Sequence, residues 1–438
     1  MTKANKSISK IHEEILNRIS PNKNEIKKIE DLIKTFLKKI EKASKELGYE
    51  NESFVGGSFA KRTFLRRPND KYDIDVFIRF DKKYRNENIS EYLEGIIKKI
   101  KSIKHYDKIH GSRDYYKINF DDTHNFYLEI IPVIKVKNPR EALNITDLSY
   151  SHVRYVKNKI KDEKLLNDIK LAKQFAYSCK CYGAESYIKG FSGYGLELMV
   201  YYYGGFLNFI KTMSKINFKE KIIIDIEKHH KTKNNVMMNI NTSKLISPIV
   251  LVDPVFKERN VLAALSEETL SRFIDYCKSY LKNPDSEYFE INEIDLDKIK
   301  KDTVKKKYEF LEIQVSTSKQ EGDVAGSKLL KFYNHLTKEI DKYFEIKNKG
   351  FNYNEEKDAK IFYVVKKRNE LLISGPDMKM EKNVKLFKKS HKKYFVKKGK
   401  IYAKEKINYN LKSFMKQWKN KNAGKMKDMS IVEMKIIK

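Results

Sequence analysis

The 438-residue chain predicts an α+β protein of more than one domain. Three observations carry this. In the first 150 residues, apolar stripes at helical spacing flank short alternating runs. Residues 151 to about 265 turn to helices. Beyond a polar stretch at 283–307, a strand, a long helix and a second strand follow. A chain of this length exceeds one core, and roughly two to four domains are expected.

The isoleucines at 8, 11, 15 and 19 predict a helix that Ser20-Pro21 stops, with Ser20 as N-cap of the next helix and Pro21 in its first turn. Ile26, Ile29, Ile33, Phe36, Leu37, Ile40 and Leu47 form the stripe of that second helix, and Gly48 ends it. Ser53 to Val55 reads as a short strand entering the turn Gly56-Gly57-Ser58. That turn offers free backbone N–H groups and a hydroxyl at a helix start, which suits phosphate oxygens. Asp73 and Asp75 follow on a strand. Side chains alternate along a strand, so both acids share one face while Ile74 and Val76 take the other. At about 3.3 Å per residue they stand roughly 7 Å apart, which suits a pair of Mg²⁺ ions about 3.5–4 Å apart and points to nucleotidyl transfer.

A helix over Ile89 to Ile103 is expected to cover the sheet. Strands follow at Tyr115 to Phe120 and Phe126 to Val136. Within the second, Tyr127, Glu129, Ile131 and Val133 share a face that reads as buried. An acid there needs a partner or a cation, and Glu129 supplies the third ligand that the two aspartates lack.

In the helical region, Leu165, Leu166, Ile169 and Ala172 form one stripe and Leu196 to Phe209 another, with Tyr201, Tyr202 and Tyr203 as core and interface. Gly183, Gly190, Gly193 and Gly195 mark turns. Residues 249–266 join a buried strand to Asp253-Pro254 and Arg259-Asn260, a turn that either reads a base edge or closes a salt bridge. A helix spans Glu268 to Leu281. The later module comprises a strand at Tyr308 to Val315, a helix at Gly326 to Phe344 and a strand at Ile361 to Lys366. From Val384 to Lys421, lysines alternate with aromatics, which fits either nucleic acid or a small core of their own.

The chain carries 91 Lys and Arg against 59 Asp and Glu, an excess of +32, well placed for a polyanion such as nucleic acid. A lysine-rich codon bias is the plain alternative. Three cysteines, at 179, 181 and 277, give no convincing zinc pattern and read as reduced thiols of a cytoplasmic protein. The charged first residues carry no apolar leader, and no apolar run reaches the roughly 18 residues of a membrane span.

Taken together, the GGS turn with Asp73-Ile74-Asp75, LEIIPVIKVKNP around Glu129, Ser149 to His152, KQFAYSCKCYGAESYIKGFSGYGLEL, DPVFKERNVLAALS, YEFLEIQVS and a Ser374-Gly375-Pro376 turn resemble the archaeal-type class I CCA-adding enzymes (tRNA nucleotidyltransferases) of the DNA polymerase β superfamily. A GS…DxD pattern alone is superfamily evidence; GFSGY followed by DPV…RNV is more specific. The resemblance implies a polymerase β-like catalytic head (1–150), a helical neck that binds nucleotide (151–249), a body whose first part reads the base (250–292), a tRNA-binding tail (293–370) and a second body part with a basic RNA-binding surface (371–438).

It also implies roles. Asp73 and Asp75 would ligate two Mg²⁺ ions and Glu129 the catalytic one. Gly57, Ser58, Lys61, His152, Lys173 and Tyr182 would hold the triphosphate and sugar of CTP or ATP, and Arg259, supported by Asp253, would read the base. The partner would be the acceptor stem and TΨC arm of tRNA, in the cytoplasm, without a membrane; a homodimer is compatible with it. The sequence departs from the family at Lys61, commonly Arg; at Glu129, usually Asp; and at Ser149-Tyr150-Ser151, usually near Thr-Pro-Phe. The rival expectations are a poly(A) polymerase or oligoadenylate-type synthase with the same head, and an RNA-binding protein with a silent one.

Overall fold

The computed structural model describes residues 3–66, 72–119, 126–217, 220–291 and 294–437. The chain divides into two compact units, 1–292 and 293–438.

The first unit holds five strands: β1 (Asn51–Val55), β2 (Tyr72–Phe80), β3 (Asp107–Ile109), β4 (Tyr115–Asn119) and β5 (Phe126–Ile134). They form a mixed sheet in the order β1-β2-β5-β4-β3. In it β2 and β5 run parallel, and their register sets Asp75 beside Glu129 and Asp73 beside Tyr127. The expected strand at 115–120 ends at Asn119; Phe120 lies outside the described residues. The expected extension of β5 to Val136 stops at Ile134, opposite the last residue of β2.

One face of this sheet is closed. Ile74, Val76, Ile78, Leu128 and Ile130 are fully buried and share a core with Ile29, Ile33, Phe36 and Ile40 of helix Lys23–Glu46 and Leu93, Ile96 and Ile97 of helix Ile89–Lys99. Each such side chain contributes about 1.5–3 kcal/mol of burial, which pins the register and turns the aspartates to the other face. The cap expected at Ser20 is at Asn22: its side chain accepts from Glu25 N at 2.8 Å, and Glu25 returns the bond to Asn22 N at 2.9 Å. A cap at Ser20 would put Lys23 at the third position, where it has no acceptor to return. The helix expected to reach Ile103 ends at Lys99, with Ile100 already extended.

The rest of the unit is helical. Helices Glu163–Ser178, Gly193–Tyr202, Phe206–Met213 and Glu267–Lys282 surround Phe175, Phe206, Phe209, Phe273 and Tyr280. Ile15 and Ile19 of the first helix join this core rather than that of the sheet. A short parallel pair, β6 (Ile222–Ile224) and β7 (Ile249–Leu251), carries the chain into Asp253.

In the second unit, β8 (Glu309–Thr317), β9 (Phe344–Tyr353) and β10 (Asp358–Lys367) precede β11 (Glu370–Asp377), β12 (Tyr394–Lys397), β13 (Lys400–Lys406) and β14 (Ile431–Ile436). They make a sheet β14-β8-β10-β9 and a smaller one, β11-β13-β12. The division expected at 370/371 falls after the first residue of β11, and the larger sheet crosses it through β14. The helix expected to run to Phe344 ends at Asp341, because Phe344 is needed, fully buried, at the start of β9. The Ser374-Gly375-Pro376 turn is instead an irregularity inside β11, where the pairing with β13 slips between Ser374 and Asp377. The aromatics of 384–421 divide: Phe414 and Trp418 are core, whereas Tyr394 and Phe395 are exposed. Among the described residues no helix is long and apolar enough to cross a membrane.

Candidate active site

The acids occupy the open face of the first sheet. Asp73 is exposed and Asp75 and Glu129 are half-buried, so the face of β5 that reads as buried is only half covered; its closed face is that of Leu128 and Ile130. The glycine turn arches over Asp75. Gly56 N donates to Asp75 O at 2.8 Å, and Gly57 takes φ +57, where a Cβ would stand 1.6 Å from Asp75 Oδ2. That contact needs glycine twice, for conformation and for space. We expect Gly57→Ala to displace the Asp75 carboxylate and lower activity by at least about 10²-fold, with the loss in kcat; wild-type turnover in a folded variant would refute the contact's importance.

Burial and the neighbouring Asp73 push the Asp75 carboxyl up to about 7, against the pull of Lys61 and Lys173. A carboxyl held so far above its ordinary range is a site where an added cation is favoured. The donors are oxygens of three carboxylates, the hard set that Mg²⁺ takes. Among the described residues no three acidic, His or Cys side chains converge on one point; the strand register sets the acids side by side without closing them around a common centre.

Beside them is a buried ionic cluster. Lys61 Nζ lies 2.7 Å from Glu197 Oε2 and Lys173 Nζ 2.8 Å from Glu197 Oε1. Thr63 Oγ1 donates to Glu197 at 2.6 Å and accepts from Lys173 at 2.9 Å. Lys173 and Tyr182 were expected on one nucleotide; Lys173 is buried in this cluster, while the Tyr182 ring lies against Tyr177, tilted by 34° with centroids 4.0 Å apart, and brings its hydroxyl to Gly193, where a Cβ would meet it at 2.6 Å. The two lysines and desolvation compete at Glu197, and the lysines prevail, holding it at about 2.

A second hub forms at Asp253, fully buried. It accepts from Arg259 NH1 at 2.7 Å and Tyr194 Oη at 3.3 Å, lies 2.9 Å from His152 Nε2, and takes Val255 N at 2.9 Å. The Asp253–Arg259 turn is therefore a salt bridge, made through one nitrogen of the guanidinium. Burial pushes the His152 imidazole below its ordinary value although Asp253 opposes it. Lys61 sits 5.9 Å above the Tyr194 ring, between the two hubs. Glu197, Thr63 and Tyr194 escape the reading of the sequence. For Glu197 a signal existed: it is a lone acid in the apolar helix GYGLELMVYY, the argument that singles out Glu129.

Residues 7–164 match the Second Messenger Oligonucleotide or Dinucleotide Synthetase domain family, and residues 167–290 match the second domain of tRNA nucleotidyltransferases. A CCA-adding enzyme of Nanoarchaeum equitans is 34% identical over 80% of this chain and 82% of its own. One from Methanocaldococcus jannaschii is 28% identical over 91% and 86%. Among solved structures, Cid1, an RNA terminal uridylyl transferase, superposes with TM-score 0.51 over 66% of this chain and 99% of its own at 16% identity, a likeness of fold. With an α+β nucleotidyltransferase fold and a relative this similar across most of both chains, the protein belongs to the archaeal CCA-adding enzymes, the tRNA nucleotidyltransferase family.

Proposed function

We propose that this chain adds C, C and A to the 3′ end of tRNA from CTP and ATP, without a nucleic-acid template. The observation that carries the reading is the register of Asp75 beside Glu129 under the glycine turn, in a chain that aligns along most of its length with CCA-adding enzymes. The terminal 3′-oxygen of the tRNA attacks the α-phosphorus, the bond to the bridging oxygen breaks, and pyrophosphate leaves. Asp73, Asp75 and Glu129 would hold two Mg²⁺ ions, which supply Lewis-acid stabilisation of attacking and leaving oxygens.

The protein's own groups do the positioning. The turn at Gly57 and Ser58, with Lys61 and His152, faces the phosphates with N–H groups, a hydroxyl and positive charge, while Lys173, its N–H groups given to Thr63 and Glu197, adds its charge without direct contact. Tyr182 lines the sugar. Arg259, fixed by Asp253, donates to cytosine O2 and N3 or adenine N1 and clashes with the N3–H that uracil presents. Exposed Tyr394 and Phe395 among lysines of the second unit suit the tRNA backbone. Three buried free thiols fit the cytoplasm.

The test uses tRNA transcripts ending at the discriminator base, after C and after CC, each with CTP or ATP alone. The expected result is two C additions to the first, one to the second, and one A, then arrest, on the third. Unlimited A addition would make this a poly(A) polymerase.

A further inference from the structure

Glu197 lies in a segment that the family resemblance covers, but neither the resemblance nor the proposed reaction gives it a part. It is fully buried, and one carboxylate serves two lysines and a threonine: Lys61 at 2.7 Å, Lys173 at 2.8 Å and Thr63 at 2.6 Å. Lys173 also donates to Thr63 O at 3.1 Å. We propose that Glu197 is a positioning residue, seating Lys61 and Lys173 as a preorganised cationic pair for the triphosphate of the incoming nucleotide. The proposal rests on the reading of this site as a nucleoside triphosphate pocket.

Three points favour it. A lysine is a compact charge on a flexible stem, and fixing it loses rotamer freedom; a shared carboxylate incurs that loss before the nucleotide arrives. The donors also divide between the two lysines: Lys173 places its N–H groups on Thr63 O, Thr63 Oγ1 and Glu197, whereas Lys61 gives one to Glu197. The topology is also suggestive. Lys61 and Thr63 follow the glycine turn directly, Lys173 and Glu197 come from two helices, and Lys61 stands over Tyr194, which bonds to Asp253. One acid thereby fixes the phosphate-facing turn against the elements that carry the base-reading hub. Buried ion clusters are a poor source of stability compared with apolar packing, so fold alone does not account for this one.

The experiment compares Glu197→Gln, Glu197→Asp and Thr63→Val in the full chain, reading KM and kcat for CTP and ATP on tRNA transcripts and calorimetric binding of inorganic pyrophosphate. Glu197→Gln should raise KM for both nucleotides and weaken pyrophosphate by about 10–100-fold, with kcat changed far less. Glu197→Asp, keeping the charge, should recover part of the loss. Thr63→Val should show about 3–10-fold and decides the matter if Glu197→Gln does not fold. Glu197→Gln should cost less in a Lys61→Gln background than alone, since it acts through Lys61.

Folded Glu197→Asp and Thr63→Val proteins with wild-type KM and pyrophosphate binding would overturn the proposal, as would full additivity with Lys61→Gln. Wild-type protein that binds neither pyrophosphate nor CTP would instead overturn the reading of the pocket.

Discussion

Asp75→Asn is expected to abolish nucleotide incorporation, by at least about 10³-fold in kcat, while making the protein more stable above neutral pH. The two effects share one cause. Asp75 is packed under Gly57 and beside Asp73, and burial with that like charge raises its carboxyl to about 7. The sign follows from linkage. A carboxyl whose folded value lies above its unfolded one of about 3.9 binds more protons in the folded state between those values. Its contribution is therefore fully present below about pH 4 and is lost as pH rises to about 7. At about 1.4 kcal/mol per unit, the strain is a few kcal/mol. Asparagine removes it together with the ligand. Thermal unfolding of wild type should therefore lose stability between pH 4 and 7 and regain it with added Mg²⁺ at pH 8, whereas Asp75→Asn should show neither response. A folded variant that still incorporates CTP at a rate within tenfold of wild type would remove Asp75 from the catalytic set.

The parts of the molecule legible in sequence are those where one periodicity decides the structure. Alternation fixed the faces of β2, so Asp73 and Asp75 could be placed together from spacing, and Glu129 stood out as an acid in an apolar run; that its strand is the parallel neighbour of β2 is seen only in the fold. Helices with long stripes, such as Lys23–Glu46, were plain because burial alone enforces them. Boundaries were not, where local chemistry competes. Asn22 outranks Ser20 as cap only because Glu25 can reciprocate, and Phe344 leaves its helix because a core site in another element claims it. Long-range charge partners were hidden most. Glu197 is 136 residues from Lys61 and 134 from Thr63, and neither periodicity nor spacing relates positions that far apart. The resemblance to a family supplied the expected substrate-facing residues and Asp253 as the support of Arg259, but not the contacts of Glu197 and Thr63 with Lys61 and Lys173.

Asp253 offers the second large effect, because it supports Arg259, as the family resemblance implies, and holds His152 and Tyr194 as well. Arg259, His152 and Tyr194 all converge on its two oxygens. Asp253→Asn keeps the shape and removes the charge. Breaking a buried pair typically costs about 3–5 kcal/mol, so a fall in Tm of about 10 °C is expected. The pH dependence gives the charge its own signature. The partners hold the Asp253 carboxyl at about 2 against the opposing penalty of burial. Because that is below its unfolded value, its stabilisation is present above about pH 4 and lost as pH falls toward 2; the asparagine variant should lack this acid-side loss.

Function should change in kind as well as amount. With Arg259 no longer fixed, discrimination against UTP should fall by about 10²-fold, as in Arg259→Ala, and KM for CTP should rise through His152, which Arg259→Ala leaves paired with Asp253. Competition between CTP and UTP on a tRNA transcript ending at the discriminator base separates the two. If Asp253→Asn folds and keeps full selectivity while Arg259→Ala loses it, the guanidinium is oriented by something other than this carboxylate. If both keep it, base choice lies elsewhere in the chain.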